Sequence, residues 1–208
     1  MAEIIVRPAR KEEADTGADL LFMSGPELFT YAFSRLPEAT KQLLARLWPR
    51  NEHIFSYQWA HFAEADSQVL GIISGFTCQE LRRASSRMPI VFARALWPWD
   101  LAKLIGRAVD MTGLSPEVPD GDYYIGNVAV VPEARSQGLG LELMAFAEER
   151  ARQRGCRRCA LDVVVENLRA QALYRDCGYV IADTHKSPRL AERCGISGMH
   201  RMVKVLSD

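Results

Sequence analysis

No apolar run in this chain of 208 residues approaches the ~20 residues needed to cross a bilayer, so a membrane span is not expected. Neither sign of charge is in excess: 26 Lys and Arg balance 26 Asp and Glu. No global field therefore draws the protein to nucleic acid or to an anionic membrane, and neither partner is expected. The N-terminus lacks a basic segment followed by an apolar stretch, so it does not read as a signal peptide. Cysteine is odd in number, at Cys78, Cys156, Cys159, Cys177 and Cys194, with no secretory context. Reduced thiols in a cytoplasmic protein are the expectation. The four histidines, His53, His61, His185 and His200, show no ligand spacing. No second Cys-x-x-Cys completes Cys156-Arg-Arg-Cys159 into a zinc site. A metal is not expected.

What is present reads as one α/β unit. Residues 3–9 suggest a short strand stopped by Pro8, and helical patterns fill much of 11–50, with breaks at Ser24-Gly-Pro26 and Arg35-Leu-Pro37. Phe55 to Glu64 and Val69 to Thr77 are strand candidates joined by a polar hairpin connection. Gly71 and Gly75 in the second suggest a close backbone approach or a bulge. Residues 78–119 look least regular, with a helical period around Leu101, Leu104, Ile105 and Ala108. Tyr123 to Val131 is an apolar strand, Leu139 to Arg154 an amphipathic helix ended by Gly155, and Cys159 to Val165 a further strand. A short helix over Arg169 to Cys177 and strands at Tyr179 to Ala182 and Met199 to Leu206 follow. Helices between strands require part of the sheet to be parallel.

The chemistry concentrates at Val128-Ala-Val-Val-Pro-Glu-Ala-Arg-Ser-Gln-Gly-Leu-Gly140, where a buried strand runs straight into a helix. A helix start exposes unpaired N–H groups and carries roughly half a positive charge. Gly138 and Gly140 leave a diphosphate free to approach those donors, and Arg135 can add charge-assisted hydrogen bonds. The segment lacks the Gly-Lys-Ser/Thr of a nucleoside-triphosphate loop. A dinucleotide fingerprint would find its acidic residue near Asp162, but Leu143 stands where its third glycine should be.

This segment resembles the acetyl-CoA-binding motif of the GNAT superfamily of N-acetyltransferases. Glu166-Asn-Leu-Arg-Ala-Gln-Ala-Leu-Tyr-Arg-Asp-Cys-Gly-Tyr179 is similar to that superfamily's second motif, in the right order and at a family-like separation. The resemblance implies a single α/β domain over 1–208, with the motifs at 123–181 and a variable, partly helical insert at 78–119. Its sheet would be mixed, mostly antiparallel and flanked by helices, with a splayed parallel strand pair at the cofactor cleft. It implies acetyl-CoA as co-substrate and a primary amine as acceptor, joined by direct attack. Backbone groups of Val128, Ala129 and Val130 would meet the pantetheine arm, and those of Arg135, Ser136, Gln137, Gly138, Leu139 and Gly140 the pyrophosphate. Ser136 departs from a position where the family often has glycine. Asn167 would contact the arm, and Tyr174 would sit near the sulfur.

Tyr174 is then the expected acid, since a phenol of pKa about 10 holds its proton at neutral pH. Asp162, in the otherwise apolar run Cys159-Ala-Leu-Asp-Val-Val-Val165, is the candidate base, through desolvation. A carboxylate facing solvent or held in a structural ion pair is the alternative, with water then removing the amine proton, and Glu166 is a weaker candidate. The arginines at 150, 152, 154, 157 and 158 read as a solvated helix end, with a reach to the ribose phosphate as the second option. Acceptor selection is assigned to 24–50 and 78–119, where Trp48, Phe92, Trp97 and Trp99 could line an apolar pocket and Arg82, Arg83 and Arg87 could attract acid. A homodimer is possible. An acyl-CoA-binding module without turnover and a nicotinamide-dependent oxidoreductase are the competing readings.

Overall fold

The computed structural model describes residues 4–33 and 36–206. The start of the expected first strand at Glu3 and the start of the expected break at Arg35 lie outside them. Seven strands form one sheet in the order β1-β2-β3-β4-β5-β7-β6. They are β1 (Ile5–Pro8), β2 (Ala60–Ala65), β3 (Gln68–Thr77), β4 (Asp122–Val130), β5 (Arg158–Val164), β6 (Val180–Lys186) and β7 (Gly198–Val205). Every neighbouring pair is antiparallel except β4 and β5. The mixed sheet with one parallel pair is therefore as expected. What chain order did not reveal is that β7 inserts between β5 and β6. This leaves β6 as an edge with mostly exposed residues.

The helices are α1 (Ala14–Met23), α2 (Pro26–Phe33), α3 (Pro37–Leu47), α4 (Cys78–Ala95), α5 (Pro98–Asp110), α6 (Leu139–Gln153), α7 (Leu168–Asp176) and α8 (Pro188–Cys194). Alternation along the strands sends successive side chains to opposite faces. Phe62, Ile72 and Ala129 meet Leu43, Leu44, Leu47 and Trp48 of the α3 region and Leu20 and Leu21 of α1. Ala63, Ile73 and Ile125 meet Leu139, Leu143, Met144, Ala147 and Ala151 of α6 on the other face. The close approach expected at Gly71 is real: a Cβ there would lie 2.8 Å from the Ala129 carbonyl oxygen and 3.1 Å from Leu143.

Two expectations need correction. The strand placed at Phe55 begins only at Ala60, because Tyr57–Trp59 is a 3-10 turn capped by the Ser56 hydroxyl, which accepts from Gln58 N–H. The irregular region 78–119 is instead largely two helices. Thr77 and Glu80 form a reciprocal capping box that starts α4, satisfying two orphan donors. Cys78, Ala84 and Met88 are buried along one face of that helix, so its polar residues simply occupy the other. Pro98 opens α5, where a missing N–H costs nothing.

Candidate active site

Pairing between β4 and β5 extends only from Asp122↔Arg158 to Ile125↔Leu161, and beyond it the strands part. On the other edge of β4 the register jumps from Gly75↔Ile125 to Ser74↔Asn127, leaving Gly126 as an extra, unpaired residue. Such a bulge re-aims the backbone that follows it. Val131 N–H donates to the Leu70 carbonyl at 2.9 Å, which sets the phase of the ladder. Ala129 and Val131 turn their backbone groups to β3, so those of Val128 and Val130 face the opening toward β5. Asn127 pins the bulge. Its Nδ2 donates to Ser24 Oγ at 2.8 Å, its N–H donates to Ser74 Oγ at 3.0 Å, and its Oδ1 accepts from Ser74 Oγ at 3.1 Å.

Beyond the bulge, β4 leads into the start of α6. After a 3-10 turn at Pro132–Ala134, Ser136 and Gly138 take left-handed backbone angles, φ 64° and 84°. Gly138 is the N-cap, without any side-chain cap, so the first N–H groups of α6 are left as donors. Beyond its own chain neighbours, no heavy atom lies within 4 Å of where a Gly138 Cβ would stand. Gly140 differs from expectation, since a Cβ there would meet Leu173 of α7 at 3.0 Å. Its smallness brings the second motif against the first rather than admitting a ligand. Arg135 also departs in part: its Nε donates to the Val130 carbonyl at 3.0 Å, tying the cradle to the strand. Gln137 is held by its Nε2 donating to the Glu133 carbonyl at 2.9 Å, and Leu139 turns its side chain into the core.

A cavity of about 1060 Å³ occupies the space where the strands part, and Val128, Asn167, Tyr174, Asp162, Tyr124 and Arg201 are among its walls. Asn167 is the N-cap of α7, its Oδ1 accepting from Ala170 N–H at 3.1 Å. Seven residues on, Tyr174 shares that helix and is 7 % exposed. Burial first, and then the neighbouring Cys177, push its hydroxyl well above the usual phenol range, so it stays protonated at neutral pH.

Asp162 is not the isolated carboxylate of an apolar strand. Arg201 Nε donates to its Oδ1 at 2.6 Å and Arg201 Nη2 to its Oδ2 at 2.9 Å. The Tyr124 hydroxyl donates to Oδ2 at 3.1 Å. The Asp162 side chain is 1 % and the Arg201 side chain 7 % exposed. Arg201 Nη2 also donates to the Pro116 carbonyl at 2.8 Å, so the pair anchors the loop that follows α5. Sequence reasoning missed Arg201 and Tyr124. The usable signal is that Asp162 and Arg201 are each charged within apolar strands and stand opposite one another in the β5–β7 register. Glu166 Oε1 accepts from Ser197 N–H at 3.0 Å. Although burial opposes it, that contact keeps the carboxyl below its usual range.

The model of the acetyltransferase (GNAT) family matches residues 26–179, three quarters of the chain, with the strand-to-helix turn, Asp162, Asn167 and Tyr174 inside the match. The chain belongs to the GNAT family of acetyltransferases. Over 57 residues it is 42 % identical to a putative [ribosomal protein bS18]-alanine N-acetyltransferase of Bacillus subtilis, covering 27 % of this chain and 38 % of that protein. Over 80 residues it is 36 % identical to an aminoglycoside N(6')-acetyltransferase type 1 of Klebsiella aerogenes, covering 36 % and 53 %. The matched stretches thus span about half or less of these relatives' own length. Among solved structures, an N-acetyltransferase from Staphylococcus aureus Mu50 superposes with a TM-score of 0.72 at 17 % identity, over 96 % of this chain and 100 % of that one. The PaiA N-acetyltransferase from Thermoplasma acidophilum, in complex with coenzyme A, gives 0.56 at 16 % identity, over 98 % and 99 %. At these identities the superpositions establish the fold.

The remaining candidates of this GNAT chain sort by place. Phe92 lines the cavity. Trp48 is fully buried, stacked on Phe62 at 5.7 Å with its Nε1 donating to the Arg10 carbonyl. Trp97 and Trp99 stack on each other at 5.2 Å, exposed on the surface. Arg82 pairs with Glu117 and Asp120, and Arg83 and Arg87 with Glu52. Arg154 pairs with Glu80 and Arg158 with Asp122. That cluster lies at the far end of α6, about 20 Å from the cradle at 1.5 Å per residue. Cys156 and Cys159 are buried free thiols, and burial pushes Cys159 up to about 12. Among the described residues no group of three or more His, Cys, Asp or Glu could hold a metal ion. No described helix is long and apolar enough to cross a membrane.

Proposed function

We propose that this protein transfers an acetyl group from acetyl-CoA to a primary amine by direct attack, with no acyl-enzyme intermediate. The observation that carries the reading is the parting of β4 from β5 after Ile125↔Leu161, which opens a cavity walled by Val128 and Tyr174, while β4 itself leads into the uncapped start of α6. Donors at a helix start suit a diphosphate. An extended arm can complete the ladder that β5 abandons after Leu161. Acetyl-CoA supplies the activated thioester. Val128 N–H is the donor placed to polarise its carbonyl, and Tyr174 holds the proton required by the departing sulfur. With both Asp162 oxygens engaged by Arg201 and Tyr124, water in the cavity is the favoured route for removing the amine proton. Asp162 then acts as an anchor of the cavity wall. The amine acceptors named for the two curated relatives support an amine here, though not a particular one.

Thiol release from acetyl-CoA in the presence of an amine panel is the test. Tyr174→Phe is expected to lower kcat by about 10²- to 10³-fold, as for loss of a general acid, with acetyl-CoA binding retained. Stabilisation by acetyl-CoA without thiol release on any amine would instead identify an acyl-CoA-binding module and overturn the proposal.

A further inference from the structure

The cavity extends away from the cofactor cleft into a lobe built by segments outside the two motifs. Phe29 and Phe33 of α2, Phe55 of the loop after α3, Met88 and Phe92 of α4 and Leu104 of α5 line it. The four rings touch in series, with centroids 6.1 Å apart for Phe29–Phe33, 5.7 Å for Phe29–Phe55, 6.3 Å for Phe33–Phe55 and 5.7 Å for Phe33–Phe92. Phe29, Phe55, Phe92 and Leu104 are each only partly buried although they pack on the core, so apolar surface is left toward the cavity.

The charges in the cavity's interior are already engaged, and the others lie at its exposed rim. Asp162 is paired with Arg201, Arg82 with Glu117, and Glu166 accepts from Ser197 N–H. Glu27, the other charged lining residue among those described, is exposed to solvent. The lobe therefore has apolar contact to give and no carboxylate free in its interior. A second ammonium carried into it would lose its water without gaining a counter-charge, and contact with phenyl faces replaces little of that loss.

Building on the acetyltransferase reading, we infer that the acceptor is a small primary monoamine with an aromatic or bulky aliphatic body, not a polycation. The body would fill the lobe and hold the amine toward Tyr174. The volume of about 1060 Å³ is at the upper end for ligand pockets, enough for a pantetheine arm together with a small ring system.

The test uses the full chain, first in a thermal-shift measurement with acetyl-CoA and then in thiol release with phenethylamine, tryptamine, spermidine, an aminoglycoside and a peptide with N-terminal phenylalanine. Phenethylamine or tryptamine is expected to give the highest kcat/KM, at least 10-fold above the polycations. Phe92→Ala is expected to raise its KM about 10- to 100-fold, the worth of one ring's burial, with the acetyl-CoA shift unchanged. Phe92→Leu keeps the core filled and is expected to show a smaller rise in the same direction. Preference for a polycation or the peptide overturns the inference, as does an unchanged KM in both variants, or acetyl-CoA binding with no turnover of either arylalkylamine. If acetyl-CoA fails to stabilise the chain at all, the acetyltransferase reading itself falls, and this inference with it.

Discussion

The Asp162–Arg201 pair allows a quantitative test of how the cavity wall is held. Both side chains are almost wholly excluded from solvent, and the pair is joined by two hydrogen bonds, at 2.6 and 2.9 Å. Removing one member of a buried pair leaves an uncompensated charge and costs about 3–5 kcal/mol. Replacing both members together is far cheaper, because their desolvation is removed with them. Asp162→Asn alone strands the Arg201 guanidinium, and Arg201→Met alone strands the carboxylate with only the Tyr124 hydroxyl. Each single variant is expected to lose about 3–5 kcal/mol, or roughly 6–20 °C in Tm for a chain of this size. The double variant is expected to lose no more than about 2 kcal/mol, a coupling far above the ~0.5 kcal/mol seen for independent sites. Urea denaturation of the four proteins measures the cycle. Additive losses, or a cost below about 1 kcal/mol for either single change, would refute the claim that this is a desolvated, mutually dependent pair. Thiol release on the same set adds a functional readout. If Asp162→Asn folds and keeps the kcat and pH profile of the parent, Asp162 is an anchor and not the base.

Two further outcomes follow from the same geometry. His61 packs against the Phe146 ring at 4.8 Å, and burial first, then the positive charges of Arg150 and Arg154, lower its pKa from 6.5 to about 4. The unfolded chain therefore takes up a proton near pH 6.5 that the folded chain refuses until about pH 4. Stability from this group is present above 6.5 and lost as pH falls. The loss is about 2 kcal/mol between pH 7 and 5, and His61→Leu should lack that part of the acid sensitivity in parallel urea melts. Ser136, at φ 64°, occupies a conformation costing a non-glycine residue roughly 1–2 kcal/mol. Ser136→Gly should raise Tm by about 1–3 °C after the loss of chain entropy is counted, and a fall in Tm would show that the hydroxyl contributes more than the strain removes.

Much of this was legible in the chain. The strand from Tyr123, the helix from Leu139 and the turn between them follow from apolar period and glycine placement. Each expected boundary in the second half lies within a few residues of its place, apart from the longer β6, but the short helix α8 between β6 and β7 was not expected. The helix α4 was also readable in principle, from Thr77 and Glu80 at capping-box spacing and apolar Cys78, Leu81, Ala84 and Met88 at helical spacing. Its run of arginine and serine hid that period. Other features had no local signal. Gly140 looked like room for phosphate, yet what it faces is Leu173, 33 positions on. Trp48, Phe92, Trp97 and Trp99 looked alike as candidate pocket residues, and the fold sent them to core, cavity and surface.

By itself, then, the sequence determined most elements of the second half and the strand-to-helix turn after β4, because such a turn depends on local dihedral angles and on a helix start, both properties of contiguous residues. The tertiary structure decided what Asp162 faces. A carboxylate's role depends on the groups facing it, and those came from Tyr124 on β4 and Arg201 on β7. It also decided the apolar lobe, where Phe29, Phe33, Phe55 and Phe92 meet only because α2, the loop after α3 and α4 are brought together from distant parts of the chain.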